Sequence, residues 1–281
     1  TCALPISDWV DMRISFDIPL FQYDSRGNKL ERYEVRDHGD YPNSLLLLIG
    51  PDEVADQVRL SAGKALKEVR LGPKSRKRWT HAFFFSRGVP QEIVTLCGHL
   101  TEWLSIPCSS NIDITLSLDW YKQPDDSGDL AVTTAGKMIA WTKYAPYPNG
   151  SSSRRARRDL IDALGQAINA HPVLAAAAVI STPPGSKGDG SSFGEVLSRE
   201  VAASVGKRFI STSGPAREPQ KEEGAHDVRL DFQFSEIVSG AVLLVDDVFH
   251  TGSTLESTAV AARRAGAPEV LALTAARTIR R

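Results

Sequence analysis

The chain has 281 residues, room for about two domains at ~150 residues each and for a core that needs no disulfide or metal staple. Its 33 Lys and Arg balance 34 Asp and Glu to a net charge of −1, which weighs against a dedicated nucleic-acid binder, and 42% hydrophobic with 24% charged residues excludes wholesale disorder. Cys2, Cys97 and Cys108 form no CxxC pair, so neither a disulfide framework nor a cysteine zinc site is expected; the longest apolar runs, Leu45–Ile49 and Val173–Ile180, fall far short of the ~20 residues of a membrane span.

With no legible secretory leader, the expectation is a soluble, cytoplasmic protein with no membrane partner. Thr1–Ile6 resembles a translated adapter oligonucleotide, so residues 1–7 are read as an artefact at the start of a gene fragment, the alternative being a processed natural start. Leu45–Gly50, closed by Gly50-Pro51, reads as a buried strand. Val54, Val58, Ala62, Ala65, Leu66 and Val69 make a helical stripe over 52–70, stopped by Gly72-Pro73. Ala82–Phe85 reads as a short strand, and Pro90–Leu104 as a helix with Pro90 in its first turn, where a missing N–H costs nothing. Ile112, Ile114, Leu116 and Leu118 alternate as a strand, and 130–144 is read as one or two more. The run 145–158, rich in Pro, Gly, Ser and Arg, reads as a linker beside a domain boundary at 140/141.

The second half alternates helix and strand. A helix is expected over 155–170, a buried strand over 173–181 and a loop over 182–190. Ser192 with Glu195 three residues on forms a capping box for a helix that runs to Val205 and ends at Gly206. Further strands are expected over 208–211, 228–234, 241–245 and 270–275, with a polar loop over 212–227 and a helix over 253–265. The order implies an α/β domain on a mainly parallel sheet flanked by helices, preceded by a second α/β domain.

The chemistry concentrates in VLLVDDVFHTGST, residues 242–254. A buried strand delivers two carboxylates, Asp246 and Asp247, to its C-terminal end, the edge at which open α/β sheets bind ligands. Thr251, Gly252, Ser253 and Thr254 then lead into a helix N-terminus, whose N–H groups and partial positive charge suit a phosphate. Acceptors for sugar hydroxyls or a cation thus adjoin donors for a phosphate, the two demands of a sugar phosphate.

This stretch resembles the phosphoribosyl-pyrophosphate (PRPP) motif of type I phosphoribosyltransferases, and among them it looks most like the ComF-like (amidophosphoribosyltransferase-like) branch. Lys143-Tyr144, Val228–Phe234 and Glu269–Arg277 resemble further stretches of that branch, so the resemblance covers roughly 140–281. It implies a type I phosphoribosyltransferase fold over 141–281 after an uncharacterised N-terminal domain, 1–140. Asp246 and Asp247 would hold the ribose hydroxyls, directly or through water on Mg²⁺, the implied cofactor, which would arrive with PRPP. Thr251, Gly252, Ser253 and Thr254 would hold the 5′-phosphate. Thr182, Pro183, Pro184, Gly185, Ser186 and Lys187 would form the pyrophosphate loop. Lys221, His226 and Arg229 would reach pyrophosphate from a flexible loop over 212–230.

The implied activity is transfer of phosphoribose from Mg-PRPP to an amine or nucleobase, with pyrophosphate released through a transition state of oxocarbenium character. The alternative is a non-catalytic regulator or DNA-uptake accessory protein that binds PRPP or nucleotide. The ligand expected in both is PRPP or another ribose 5-phosphate derivative, with nucleic acid not expected as the main ligand; homodimer assembly is left open. The branch's N-terminal zinc ribbon is missing here, through divergence or a missing start, since the three cysteines form no CxxC pair. Two basic runs, Lys74–Trp79 and Arg154–Arg158, read as solvated loops rather than contacts to a polynucleotide. Gly185–Ser192 is a near miss for a nucleotide P-loop, with Ser191 in place of the required Lys.

Overall fold

The computed structural model describes residues 28–144, 150–215 and 231–279. The expected artefact over 1–7 and the candidates Lys221, His226 and Arg229 lie outside the described residues. Strands β1 (Arg32–His38) and β2 (Tyr41–Ile49) form an antiparallel pair, and α1 (Asp52–Ala62) follows Pro51. The helix expected over 52–70 stops here because Gly63 turns the chain at φ 51°, a region that glycine enters without a Cβ penalty. Leu66–Glu68 becomes strand β3, paired with β4 (His81–Phe85), and the four strands form an antiparallel sheet of order β1-β2-β4-β3.

Helix α2 (Gln91–Leu100) is shorter than the expected 90–104, since Leu104 joins β5 (Leu104–Ile106), which pairs antiparallel with β6 (Ile114–Trp120). A hairpin of β7 (Lys122–Pro124) and β8 (Leu130–Val132) turns on Asp125, whose Oδ1 accepts from Ser127 N at 2.9 Å. The strands read over 130–144 give way after Val132 to helix α3 (Thr134–Lys143), started by Thr133, whose hydroxyl accepts from Gly136 N at 3.1 Å.

The expected linker is also corrected: Ser151–Arg158 lies within α4 (Ser151–Ala170), so the Arg154–Arg158 run is helical. The strand expected over 173–181 splits into α5 (Pro172–Ala176) and β9 (Val179–Ser181). Pro172 sits in the first turn of α5, and His171 Nδ1 accepts from Val173 N at 3.3 Å, so local capping outweighs the apolar run. Helix α6 (Phe193–Ser204) carries both bonds of the expected capping box. Short strands β10 (Arg208–Phe209), β11 (Thr212–Ser213) and β12 (Gln233–Phe234) precede β13 (Val242–Phe249), α7 (Ser253–Arg264) and β14 (Val270–Arg277).

A mixed six-stranded sheet of order β10-β9-β13-β14-β6-β5 organises the molecule, parallel throughout except at β5. Helices cover both faces, as a central parallel strand requires. Leu243 and Val245 of β13 enter a core that also takes Leu160 of α4 and Val201 of α6. Val242 and Leu244 enter the core under α7, with Leu255 and Ala259. The sheet runs through the division expected at 140/141: β5 and β6 come from before it, the other four strands from after it. The larger core likewise mixes Leu46, Val54 and Phe83 with Leu164, Leu243 and Leu271.

Candidate functional site

The two acids do not follow their strand; they lie within its last four residues, with Asp246 opposite Thr274 of β14. Period two places Asp247 on the same face as Leu243 and Val245. On that side Lys143, the last residue of α3, donates from Nζ to Asp247 Oδ2 at 2.6 Å. Asp247 is 7% exposed, and its Oδ1 accepts from Val248 N at 3.0 Å. Asp246 Oδ1 accepts from Asp247 N at 2.9 Å.

These neighbours give the carboxylates different characters. Burial, and then the Asp247 charge beside it, push the Asp246 carboxyl well above the usual carboxylate range. Burial opposes the charge on Lys143, but the Asp247 carboxylate more than offsets it and the ammonium is held more firmly than in water. The Lys143 ammonium also lies 5.7 Å from the Tyr144 ring centroid and 5.6 Å from that of Phe193.

The loop after β9 reaches the same edge, because β9 is the parallel neighbour of β13. Thr182 is 1% exposed; its carbonyl accepts from Thr212 Oγ1 at 2.5 Å, while its own hydroxyl has no hydrogen-bond partner among the described residues. Pro183 and Pro184 are buried, Gly185 and Ser186 are half-buried, and Lys187 is exposed. A Cβ on Gly185 would lie 2.5 Å from Ser192 Cβ, so only glycine lets this loop pass so near the start of α6. Gly194, in the first turn of α6, makes a second close approach: a Cβ there would lie 2.7 Å from Asp246 Oδ1 and 3.9 Å from Thr182 Oγ1. The structure therefore brings Thr182, Gly194 and Asp246 together. A cavity of about 210 Å³ lies on the far side of the loop, lined by Thr182, Glu195, Arg199 and Thr212 among others.

Beyond the acids, Gly252 turns the chain into α7 at φ 82°. A Cβ there would lie 2.6 Å from Phe249 Cζ, so both the backbone angle and the ring beneath it demand glycine. Thr251 Oγ1 and Ser253 Oγ are 2.7 Å apart, and Thr251 Oγ1 accepts from Ser253 N at 3.2 Å. The N-cap of α7 is Gly252, which has no side chain to cap the helix, and Thr251 Oγ1 takes the Ser253 N–H of its first turn. His250 Nδ1 lies 3.0 Å from Thr278 Oγ1, turned toward the end of β14.

Lys143 and Gly194 were not among the expected site residues. The Lys143-Tyr144 dipeptide was a signal for the first; a lone glycine in a first helical turn offered none for the second.

No family model matches the chain, and no curated protein does. Similar solved structures include an adenine phosphoribosyltransferase from Leishmania tarentolae, 15% identical, TM-score 0.38, covering 62% of this chain and 94% of that one. An orotate phosphoribosyltransferase from Aeropyrum pernix is 18% identical with a TM-score of 0.31, covering 55% of this chain and 72% of that one. An adenine phosphoribosyltransferase from Trypanosoma brucei, in complex with AMP, pyrophosphate and ribose-5-phosphate, is 14% identical with a TM-score of 0.36, covering 62% of this chain and 86% of that one. At such identities and TM-scores the activity has to be argued from this chain's own residues. Among the described residues, no helix is long and apolar enough to cross a membrane.

Proposed function

We propose that the C-terminal edge of β9 and β13 binds PRPP and that the chain is a phosphoribosyltransferase, transferring phosphoribose to an amine or nucleobase acceptor with release of pyrophosphate. The observation that carries the reading is the acid pair at the end of a central parallel strand, followed at once by a hydroxyl-rich turn into a helix N-terminus with glycine at its N-cap. Asp246 and Asp247 would accept the ribose hydroxyls. Thr251, Gly252, Ser253 and Thr254 would donate to the 5′-phosphate. The loop from Thr182 to Lys187 would run along the pyrophosphate, with the unpartnered Thr182 hydroxyl aimed at the acids' side of the site.

Two adjacent carboxylates are hard oxygen donors of the kind Mg²⁺ accepts. Among the described residues, no group of three or more His, Cys, Asp and Glu gathers to hold a metal ion. The acid pair fits a Mg²⁺ ion that would share the ligand's own oxygens. When bound, the ion would supply neutralisation of the departing pyrophosphate. The carboxylates favour positive charge developing on the ribose, and the hydrogen bond from Lys143 holds Asp247 in place until a ligand arrives.

Calorimetric titration of PRPP, with and without Mg²⁺, tests the reading on the native chain and on a double variant, Asp246→Asn with Asp247→Asn. Mg²⁺-dependent binding by the native chain alone is expected, followed by pyrophosphate release when the right acceptor is supplied. Absence of Mg²⁺-dependent binding by the native chain overturns it. Binding without pyrophosphate release across a panel of bases and amines would move the protein to the regulatory alternative.

A further inference from the structure

A second concave site lies away from the acid pair, on the four-stranded sheet. It is a cleft of about 590 Å³ between the start of α1, the 68–71 segment and β4. That volume is in the range of small-molecule sites, roughly 300–1,000 Å³. Trp79, 5% exposed, is one of its walls, with the guanidinium carbons of Arg32 and Arg36 5.1 Å and 5.7 Å from its ring centroid. Arg59, Arg70 and Arg76 add cationic groups to the aromatic wall of Trp79 and Phe83, beside the aliphatic Val69 and Leu71.

The charge around this cleft is far from the balance of the whole chain. Residues 59–78 carry eight Lys and Arg against one acid, Glu68, in a molecule whose net charge is −1. Glu68 is already engaged, since Arg59 Nε donates to it at 2.7 Å, and Arg59 also holds Asp56 at 2.6 Å. The other acid at the cleft, Asp52, is 3.8 Å from His81 Nε2. Arg70 and Arg76 line the cleft, and among the described residues neither has a carboxylate partner; Arg76 Nε donates only to the Leu71 carbonyl, at 2.9 Å. Holding like charges together without counter-charge costs energy that a bound polyanion would return. Guanidinium groups match phosphate oxygens two at a time, which a point charge does not.

We propose that this cleft binds a phosphate-bearing small molecule of nucleotide size, with Arg70 and Arg76 as its phosphate contacts. A cleft of about 590 Å³ takes a small ligand of nucleotide size, whereas a polynucleotide would need a continuous basic track. The site is separate from the acid pair and stands whether or not that edge binds PRPP.

Calorimetric titration of ATP and of inorganic tripolyphosphate, without Mg²⁺, tests it on the native chain, on Arg70→Ala with Arg76→Ala, and on Asp246→Asn with Asp247→Asn. Both probes should bind the native chain and the aspartate variant alike, and the arginine variant should lose at least about tenfold in affinity, as expected for losing charge-assisted contacts. Arg70 and Arg76 are exposed, so an unchanged melting temperature should accompany that loss. Charge-keeping Arg70→Lys with Arg76→Lys, which loses the forked geometry alone, should fall between the two. The proposal is overturned if neither probe binds, if the arginine variant binds them as the native chain does, or if single-stranded oligonucleotides bind more tightly with each increase in length.

Discussion

At the scale of single residues, the acid edge is a strained arrangement held ready for a ligand. Asp246 is a carboxyl whose ionisation is opposed by burial and by the charge of Asp247. An acid with a folded-state pKa above its unfolded value binds more protons folded than unfolded between those two values. Its contribution to stability is therefore lost as pH rises from the ordinary carboxylate range toward the raised folded value. Asp246→Asn removes the titrating group while keeping an amide that occupies the same space. The unliganded variant should melt at a higher temperature than the native chain at neutral and mildly alkaline pH, with the gap closing as pH falls below the carboxylate range. A variant that melts lower at neutral pH would mean that the Asp246 charge is compensated in the folded protein. The same substitution should abolish Mg²⁺-dependent PRPP binding, so stability and binding would move in opposite directions, as stored strain at a functional site demands.

At the scale of elements, the pair between Lys143 and Asp247 fastens the end of α3 to the end of β13. Removing one member leaves a buried carboxylate without its counter-ion, which costs several kcal/mol in a fully buried pair. Lys143 keeps 34% of its side chain exposed, so Lys143→Met should cost less, roughly 1–3 kcal/mol by urea denaturation. The deficit should grow as pH rises, because the Asp246 carboxyl, held high by burial and by Asp247, then ionises without the opposing charge of Lys143. A deficit that stays constant with pH would assign the lysine a packing role only. This contact also marks what the residue pattern left hidden. The Gly252 turn and the capping box at Ser192 and Glu195 are local chemistry, written in adjacent residues, and form as read, while the acid pair lies inside the end of its strand rather than after it. The helix carrying Lys143 was read as strand, because Leu130–Val132 begins extended and the cap at Thr133 that redirects the chain depends on a carbonyl from another element: its hydroxyl also donates to the Trp120 carbonyl at 2.5 Å. Leu66 and Leu104 fit a helical stripe as well as a strand, and only their partners Phe85 and Ser117 decide between the two. Elements whose fate is set by distant partners are those that periodicity misassigns.

At the scale of the whole molecule, the same dependence on distant partners removes the apparent division of the chain. β14 is held on one side by β13 and on the other by β6, with residue pairs from Leu271 opposite Ile114 to Arg277 opposite Trp120. A fragment of residues 141–281 would therefore present β14 as an open edge of apolar strand, a site for pairing with other chains. It would also expose the face of α5 that packs against α1. There Gln57 of α1 meets His171, whose Nε2 lies 3.0 Å from Gln57 Oε1, and both side chains are buried. With Val173 N donating to Nδ1, the proton belongs on Nε2 and the ring is neutral; burial lowers its pKa to about 3. The unfolded chain takes up this proton near pH 6.5 and the folded one does not until about 3, so the contribution of His171 to stability is lost as pH falls through that window. The whole described chain should unfold in one transition that weakens on mild acidification, observed by fluorescence and circular dichroism together. The 141–281 fragment expressed alone should aggregate or lack a cooperative transition. A soluble fragment with its own sharp transition would restore the boundary at 140/141 and make the β6–β14 ladder a dispensable addition to an independent domain.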